Sequence, residues 1–302
     1  MNILITRHDK IGDFITALPM CKVLKEQTNH KIIMLVSKVN VSLAQQMDFI
    51  DEVIEYTDDS VQLISRINKY KIDVSISAFI NNHMGICLFL ARIKTRIAPS
   101  TKIAQIFFNN TLKQRRSKVE KTEWQYNLEL LRKLDNNLKS DFKRPLLNFD
   151  IAKENFIIFH CGFGGSSDGN LTLDDYLKLA KKASEYTNVV FSFGPDDDIS
   201  KEYIKENIDF DAIIKDDFKS IWELAKYIAK SRVFISTSTG PMHLAGLSNT
   251  VTISFFGTSD FASPKRWSTI SDIKYQNNFI IKDAYSKEDY LQIESKLLDI
   301  II

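Results

Sequence analysis

Cysteine is scarce in this 302-residue chain: Cys21, Cys87 and Cys161 are the three it has. An odd number without CxxC spacing speaks against a disulfide framework or a zinc site, and for a reducing, cytoplasmic setting. Histidine is nearly as sparse, and its five copies fall in neither HxxxH nor HExxH spacing, so no metal site is expected. Long apolar runs are missing as well. The best stretch, Met84–Leu90, falls far short of the roughly 18 residues a membrane span needs. The opening MNILITRHDK lacks the charged start, apolar run and cleavage site of a signal peptide. One further absence is local. Between Arg92 and Lys118 there are eight basic residues (Arg92, Lys94, Arg96, Lys102, Lys113, Arg115, Arg116, Lys118) and no acid. Such a stretch suits phosphates or an anionic membrane surface, or else is a solvated basic face.

What is present is the composition of a globular protein, 44% apolar and 26% charged, long enough for two domains. The net charge of +2 divides into +7 over residues 1–150 and −5 over residues 151–302. Short β-branched runs alternate with amphipathic helical stretches. Strands are expected at Asn2–Thr6, Lys31–Val36, Glu52–Tyr56 and Asp73–Ala78, with helices at Phe14–Gln27, Val41–Met47 and Ser60–Lys69. A helix at Trp124–Leu134 precedes a polar linker over Asp135–Asp150. The alternation restarts with strands at Phe156–His160, Val189–Phe193, Arg232–Ser236 and Val251–Phe255. Helices are expected at Leu173–Tyr186, Ile221–Lys230, Met242–Leu247 and Glu288–Ile300. This pattern predicts an α/β fold with two doubly wound parallel sheets, domains 1–150 and 151–302, facing a central cleft. Ligands of such sheets bind beyond the strand C-termini, so the strand-to-helix loops are where chemistry is sought.

Four loops qualify. In Arg7-His8-Asp9-Lys10-Ile11-Gly12-Asp13, Gly12 permits a tight turn and Asp13 brings a carboxylate to the sheet edge. Asp13 is equally well suited to cap the following helix. His160–Ser167 offers Gly162, Gly164 and Gly165 for close backbone approach, with Ser166 and Ser167 beside them. It breaks the GxGxxG pattern at Ser167 and lacks the later ribose-binding acid, which disfavours a nicotinamide oxidoreductase. Ser236–His243 ends a strand in a hydroxyl cluster, with Pro241 at a first helical position. Amides at that helix start, with Ser238, Thr239 and Gly240, would seat a diphosphate; His243, one turn in, would face it or pack in the core. Phe256-Gly257-Thr258-Ser259-Asp260 adds small residues nearby. Asp196-Asp197-Asp198 fits a DxD metal motif, but three acids at a helix start are more simply explained by the macrodipole.

Together these segments resemble glycosyltransferase family 9, the heptosyltransferases of bacterial lipopolysaccharide synthesis. The resemblance rests on ILITRHDKIGDFITALPMCKVLK and FISTSTGPMHLAGLSNTVTISFFGTSD, with weaker matches in SIWELAKYIAKSRV, FSFGPDDD and EWQYNLELLRKL. It spans residues 1 to about 260 and says little of 81–119. It implies a GT-B fold of two Rossmann-like domains, the first binding the acceptor and the second the nucleotide sugar. The implied reaction is inverting, metal-independent transfer of heptose from ADP-heptose to a lipopolysaccharide or lipooligosaccharide core acceptor. Asp13 matches the family's base, and Thr239, Gly240 and His243 match its diphosphate contacts. No cofactor and no nucleic acid are implied. The acceptor would be a phosphorylated glycolipid, met at the inner face of the cytoplasmic membrane, with Lys10, Arg115 and Arg116 as further phosphate contacts. Two departures stand out: Ser238 replaces an Asp common in the family, and SSDGNLTLDDY lacks its usual Lys. They leave the usual cationic diphosphate contact to Ser166, Ser167 and loop amides, or to a first-half cation such as Lys10. The alternatives are a related transferase using another nucleotide sugar for capsule or O-chain synthesis and a non-catalytic sugar-nucleotide binder.

Overall fold

The computed structural model describes residues 1–101, 103–162 and 169–302, and divides into two compact units, Met1–Lys143 and Arg144–Ile302. The first unit carries β1 (Asn2–Arg7), α1 (Ile11–Gln27), β2 (Lys31–Val36), α2 (Val41–Ala44), β3 (Glu52–Glu55) and α3 (Ser60–Asn68). It continues with β4 (Val74–Ser77), α4 (Asn82–Leu90), β5 (Thr95–Pro99), β6 (Asn110–Leu112) and α5 (Glu123–Glu129). Its six strands run in the order β3-β2-β1-β4-β5-β6, each neighbouring pair parallel.

The second unit carries β7 (Phe156–His160), α6 (Leu173–Ser184), β8 (Asn188–Ser192), α7 (Asp198–Asn207), β9 (Ile213–Lys215) and α8 (Ile221–Lys230). Then follow β10 (Val233–Thr237), α9 (Gly240–Leu247), β11 (Val251–Phe256), α10 (Pro264–Trp267), β12 (Gln276–Ile280) and α11 (Lys287–Ile301). Its strand order, β12-β11-β10-β7-β8-β9, is the same topology: both sheets have the 3-2-1-4-5-6 order of a Rossmann fold.

Burial explains the elements. The central strands β4, β7 and β10 are buried along their whole length, as a parallel sheet covered on both faces requires. The edge strands β3, β6, β9 and β12 are shorter or partly exposed. On α6 the buried residues Tyr176, Leu179, Ala180 and Ala183 recur at helical spacing and pack on Phe159, Phe191 and Phe255. A buried leucine such as Leu179 contributes about 1.5–3 kcal/mol. Thr172 and Ser220 cap α6 and α8 through their hydroxyls, and Thr122 opens α5 with a capping box to Gln125.

Two expectations about element starts are corrected. Helix α1 begins at Ile11, because the Lys10 carbonyl already accepts the Phe14 amide at 3.0 Å. Gly12 therefore lies inside the helix rather than in a turn, and Asp13 is its third residue. The start of α9 likewise moves forward to Gly240, with Pro241 second. The stretch 81–119, on which the sequence patterns were nearly silent, supplies α4, β5 and β6. Among the described residues no helix is long and apolar enough to cross a membrane.

Candidate active site

In each sheet the strand order reverses direction beside the first strand, and loops leaving there diverge to opposite faces, opening a crevice. In the first unit this point lies between β1 and β4. Arg7 ends β1 with its side chain 4% exposed and gathers three carboxylates. Its Nε donates to Asp9 at 2.8 Å, another nitrogen pairs closely with Asp13, and a third lies 3.7 Å from Glu123. The same guanidinium donates to the Ala78 carbonyl, at 3.2 Å, beyond β4. Burial works against the charged guanidinium, but the three carboxylates outweigh it and hold the Arg7 pKa above its ordinary value. Asp13 and Asp9 are each about one-fifth exposed (20% and 19%), so both remain open to a ligand.

Asp13 does not cap α1. Lys10 occupies the N-cap position without a side-chain bond, and the Asp13 carboxylate turns to Arg7. The capping role that competed with a chemical one is thereby removed. Burial pushes Asp9 up to about 6, against the pull of Arg7. Glu123, buried on α5, also pairs with Arg116, and α5 is pinned to α1 where Asn127 donates to the Thr16 hydroxyl at 3.0 Å.

Beside this hub lies a polar group to which the sequence patterns gave no role. His8 stacks on Tyr56 with ring centroids 4.4 Å apart, and its Nε2 lies 3.2 Å from the Asn81 amide. The Tyr56 hydroxyl bonds Asp58 and His83 Nδ1, each at 2.9 Å, and His83 Nε2 meets Ser60 at 3.0 Å. Burial and the neighbouring Arg7 charge lower His8 to about 4, and its Nδ1 is buried without a partner among the described residues. The signal was there in Arg7-His8-Asp9, but only tertiary contacts bring Tyr56 and His83 alongside.

Lys10 is exposed at the start of α1, at this same sheet edge, and Arg115 is exposed further along the chain. Arg116, expected to contact phosphate, is instead turned inward. It bonds Gln114 at 2.8 and 3.0 Å, Asn127 at 3.2 Å and Glu123, so its charge is spent inside the unit.

In the second unit the reversal lies between β7 and β10. Ser238, Thr239, Gly240, Pro241 and His243 form the start of α9 at the end of β10. Thr239 is the N-cap residue, yet its hydroxyl caps nothing and is buried without a partner among the described residues. His243 is 3% exposed, its Nδ1 also lacks a partner among the described residues, and burial lowers it to about 4, so it is neutral at pH 7. Helix geometry leaves the first amides of α9 without intrahelical acceptors, and no side chain caps them. Trp267 on α10 approaches His243 edge-on at 6.2 Å.

At Gly162, just past β7, a Cβ would lie 2.0 Å from an Asp197 carboxylate oxygen, so a side chain there would have to displace Asp197. Gly169 likewise presses on the Phe256–Gly257 backbone, and its carbonyl accepts the Thr237 hydroxyl, so the loops after β7, β10 and β11 converge. Gly164, Gly165, Ser166 and Ser167 lie outside the described residues. Of the three consecutive acids, Asp197 is buried and accepts the Gly194 amide at 2.7 Å, while Asp198 opens α7 and pairs with Lys201 at 2.8 Å. Among the described residues no three His, Cys, Asp or Glu side chains are grouped to hold a metal ion.

The chain matches the model of glycosyltransferase family 9 (heptosyltransferase) over residues 118–297. A Haemophilus influenzae protein provisionally named a glycosyltransferase is 34% identical to it over 99% of this chain and 95% of its own length. Among solved structures, the Escherichia coli ADP-heptose LPS heptosyltransferase II superposes with a TM-score of 0.79 at 14% identity, covering 100% of this chain and 98% of that one. The E. coli heptosyltransferase WaaC with ADP gives 0.75 at 14% identity, over 99% of this chain and 100% of that one. A family 9 glycosyltransferase from Veillonella parvula gives 0.78 at 13% identity, over 99% and 95%. The chain belongs to glycosyltransferase family 9 and has the GT-B fold of these enzymes.

Proposed function

We propose that this glycosyltransferase transfers heptose from ADP-heptose to a phosphorylated lipopolysaccharide or lipooligosaccharide core acceptor, with inversion and without a metal. The observation that carries the reading is the pair of polar atoms at the start of α9, Thr239 Oγ1 and His243 Nδ1, buried and without partners among the described residues. Leaving a polar atom buried and unbonded costs about 1–3 kcal/mol, a cost that a ligand supplying the missing bonds removes. Free amides, a hydroxyl and a neutral imidazole at a helix N-terminus together suit a diphosphate.

In the proposed step the acceptor oxygen attacks the anomeric carbon and passes its proton to Asp13. The bond from that carbon to the diphosphate oxygen breaks, and the electron pair leaves with ADP. A single displacement inverts the centre and needs one carboxylate as base. The α9 amides, Thr239 and His243 meet the charge that develops on the leaving diphosphate. Arg7 holds Asp13 in place, and Lys10 adds a cation beside it. The structures of relatives solved with ADP support an adenine nucleotide.

The departures from the family pattern, Ser238 and the Lys-free stretch Ser166–Tyr176, favour as second reading a different nucleotide sugar used in capsule or O-chain synthesis. A melting-shift screen with ADP, UDP, GDP and CDP sugars separates the two. A ligand present at 100 times its Kd stabilises by about 2.7 kcal/mol. The largest shift is expected with ADP-heptose. A larger shift with a UDP or GDP sugar would transfer the assignment to the second reading, and none with any of them would leave no donor.

A further inference from the structure

Helix α4 and the 3-10 turn Ile103–Phe107 lie against one another in the first unit, where Phe107 packs directly on Gly85. Their inner residues Met84, Leu88 and Ala104 join the core. Their outer residues do not. Ile86, Phe89 and Leu90 are 38%, 53% and 53% exposed, at the i, i+3, i+4 spacing of a single helix stripe. On the adjoining turn, Ile103 and Ile106 are 81% and 72% exposed. Five large apolar side chains on two packed elements are more than the scattered exposure ordinary for a surface.

The charges of the segment that carries them have one sign. No Asp or Glu occurs between Val74 and Val119. Arg92 leaves the end of α4 with its amide bonded to the Phe89 carbonyl, and the Lys94 carbonyl is bonded by Asn109, just past the turn. Both side chains are exposed, as are those of Lys113, Arg115 and Lys118. Arg96 is different: it bonds the carbonyls of Ile93 and Phe107 and lies over the Phe89 ring, bracing the apolar residues. Asp58, linked to His83 of α4 through Tyr56, already accepts the Tyr56 hydroxyl.

We infer that the face formed by α4 and the 103–107 turn docks on an anionic lipid surface, with Ile86, Phe89, Leu90, Ile103 and Ile106 entering the interface and Arg92 and Lys94 meeting lipid phosphates. Apolar residues backed by cations are what such a surface selects. A second copy of the chain is the poorer occupant. An isologous dimer through this face would set its basic rim against itself, and like charges across an interface repel.

Co-sedimentation of the full chain with phosphatidylglycerol-containing vesicles, and with pure phosphatidylcholine vesicles, tests this. The salt should run from about 0.01 M to about 1 M, over which the Debye length falls from about 30 to about 3 Å. Binding is expected to the anionic vesicles at low salt and to be lost at high salt. Each basic residue at such a surface contributes about 1 kcal/mol, or about fivefold, so Arg92→Gln with Lys94→Gln should lower partitioning roughly 25-fold. Phe89→Ser, Ile103→Ser and Ile106→Ser together should lower it as well, and because these side chains are exposed the core is untouched. The ADP-induced melting shift, read in the absence of lipid, should be unchanged in both variants, so a wrong donor assignment and a wrong docking face give different results. Equal binding to neutral vesicles, binding that survives both sets of substitutions, or no binding would each overturn the inference. So would a dimer of the parent chain that the apolar variant converts to monomers.

Discussion

Arg7 shows how one buried cation organises the residues around it. With Asp9, Asp13 and Glu123 all turned to it, it fixes the direction of Asp13 while leaving that carboxylate 20% exposed. Asp13→Asn is expected to lower kcat roughly 10²–10⁴-fold, as for loss of a general base. The substitution also takes one counter-charge from buried Arg7, so a lower melting temperature is expected, whereas donor binding should barely change; near-normal turnover would remove the base role. Asp9 gives a test through pH. Its carboxyl is held near 6 in the folded protein against an ordinary 3.8, so between those values the folded state keeps more protons than the unfolded chain. Stability is then lost as pH rises through that window. Asp9→Asn should therefore gain in melting temperature relative to the parent as pH rises from about 4 to about 7. A constant difference across this range would show that Asp9 titrates normally.

At the scale of the element, α9 is a helix whose first turn is built for something other than its own stability. Its N-cap residue, Thr239, has the hydroxyl a cap uses, but that hydroxyl is buried and finds no partner among the described residues, and the same holds for the Nδ1 of His243 further inward. Thr239→Val removes an unpaired hydroxyl while keeping the shape, so the ligand-free protein should be as stable as the parent or more so, by up to about 1 kcal/mol. The same variant should show a smaller ADP-induced melting shift. Loss of stability without loss of the shift would make Thr239 a structural residue and take the main support from the donor assignment. By contrast α5 spends its polar residues on the fold: its capping box and the Glu123–Arg116 pair secure its own start, and the Asn127–Thr16 bonds tie it to α1. Substitution of Arg116 would therefore report on the stability of the first unit rather than on phosphate binding.

The whole molecule is electrically lopsided: residues 1–143 carry +7 and residues 144–302 carry −5. The unit proposed to hold the nucleotide is thus the acidic one, and its anion site works through short-range amide and hydroxyl donors rather than net charge. A phosphorylated acceptor would meet the basic unit, whose long-range attraction salt screens. Raising salt from about 0.05 M to about 0.5 M should accordingly raise the acceptor KM by several-fold and leave the donor KM nearly level. Equal sensitivity of the two would show that the charge asymmetry plays no part in recognition.

Periodicity determined much of this protein by itself. The alternation of β-branched runs with amphipathic helices implied two parallel α/β units, because the spacing of apolar residues states which face is buried. Loop composition marked the residues around Asp13 and Thr239, since small and hydroxylic residues after a strand have few other uses. Residues 81–119 resisted such reading because their apolar residues serve two masters: Met84 and Leu88 face the core while Ile86, Phe89 and Leu90 face outward, so no single period shows. Other matters lay beyond any local pattern. Whether Asp13 caps a helix or pairs with a cation depends on where α1 begins and on Arg7, six residues earlier in sequence but adjacent at the sheet edge. Whether Arg116 is a surface charge or an internal tie depends on Gln114, Glu123 and Asn127. His8, Tyr56 and His83 become neighbours only because β1, β3 and β4 fall within four consecutive strands of a sheet whose order is set by tertiary packing. A sequence carries the preference of each segment for burial, but the partners of a polar atom come from distant segments, and only the folded chain chooses them.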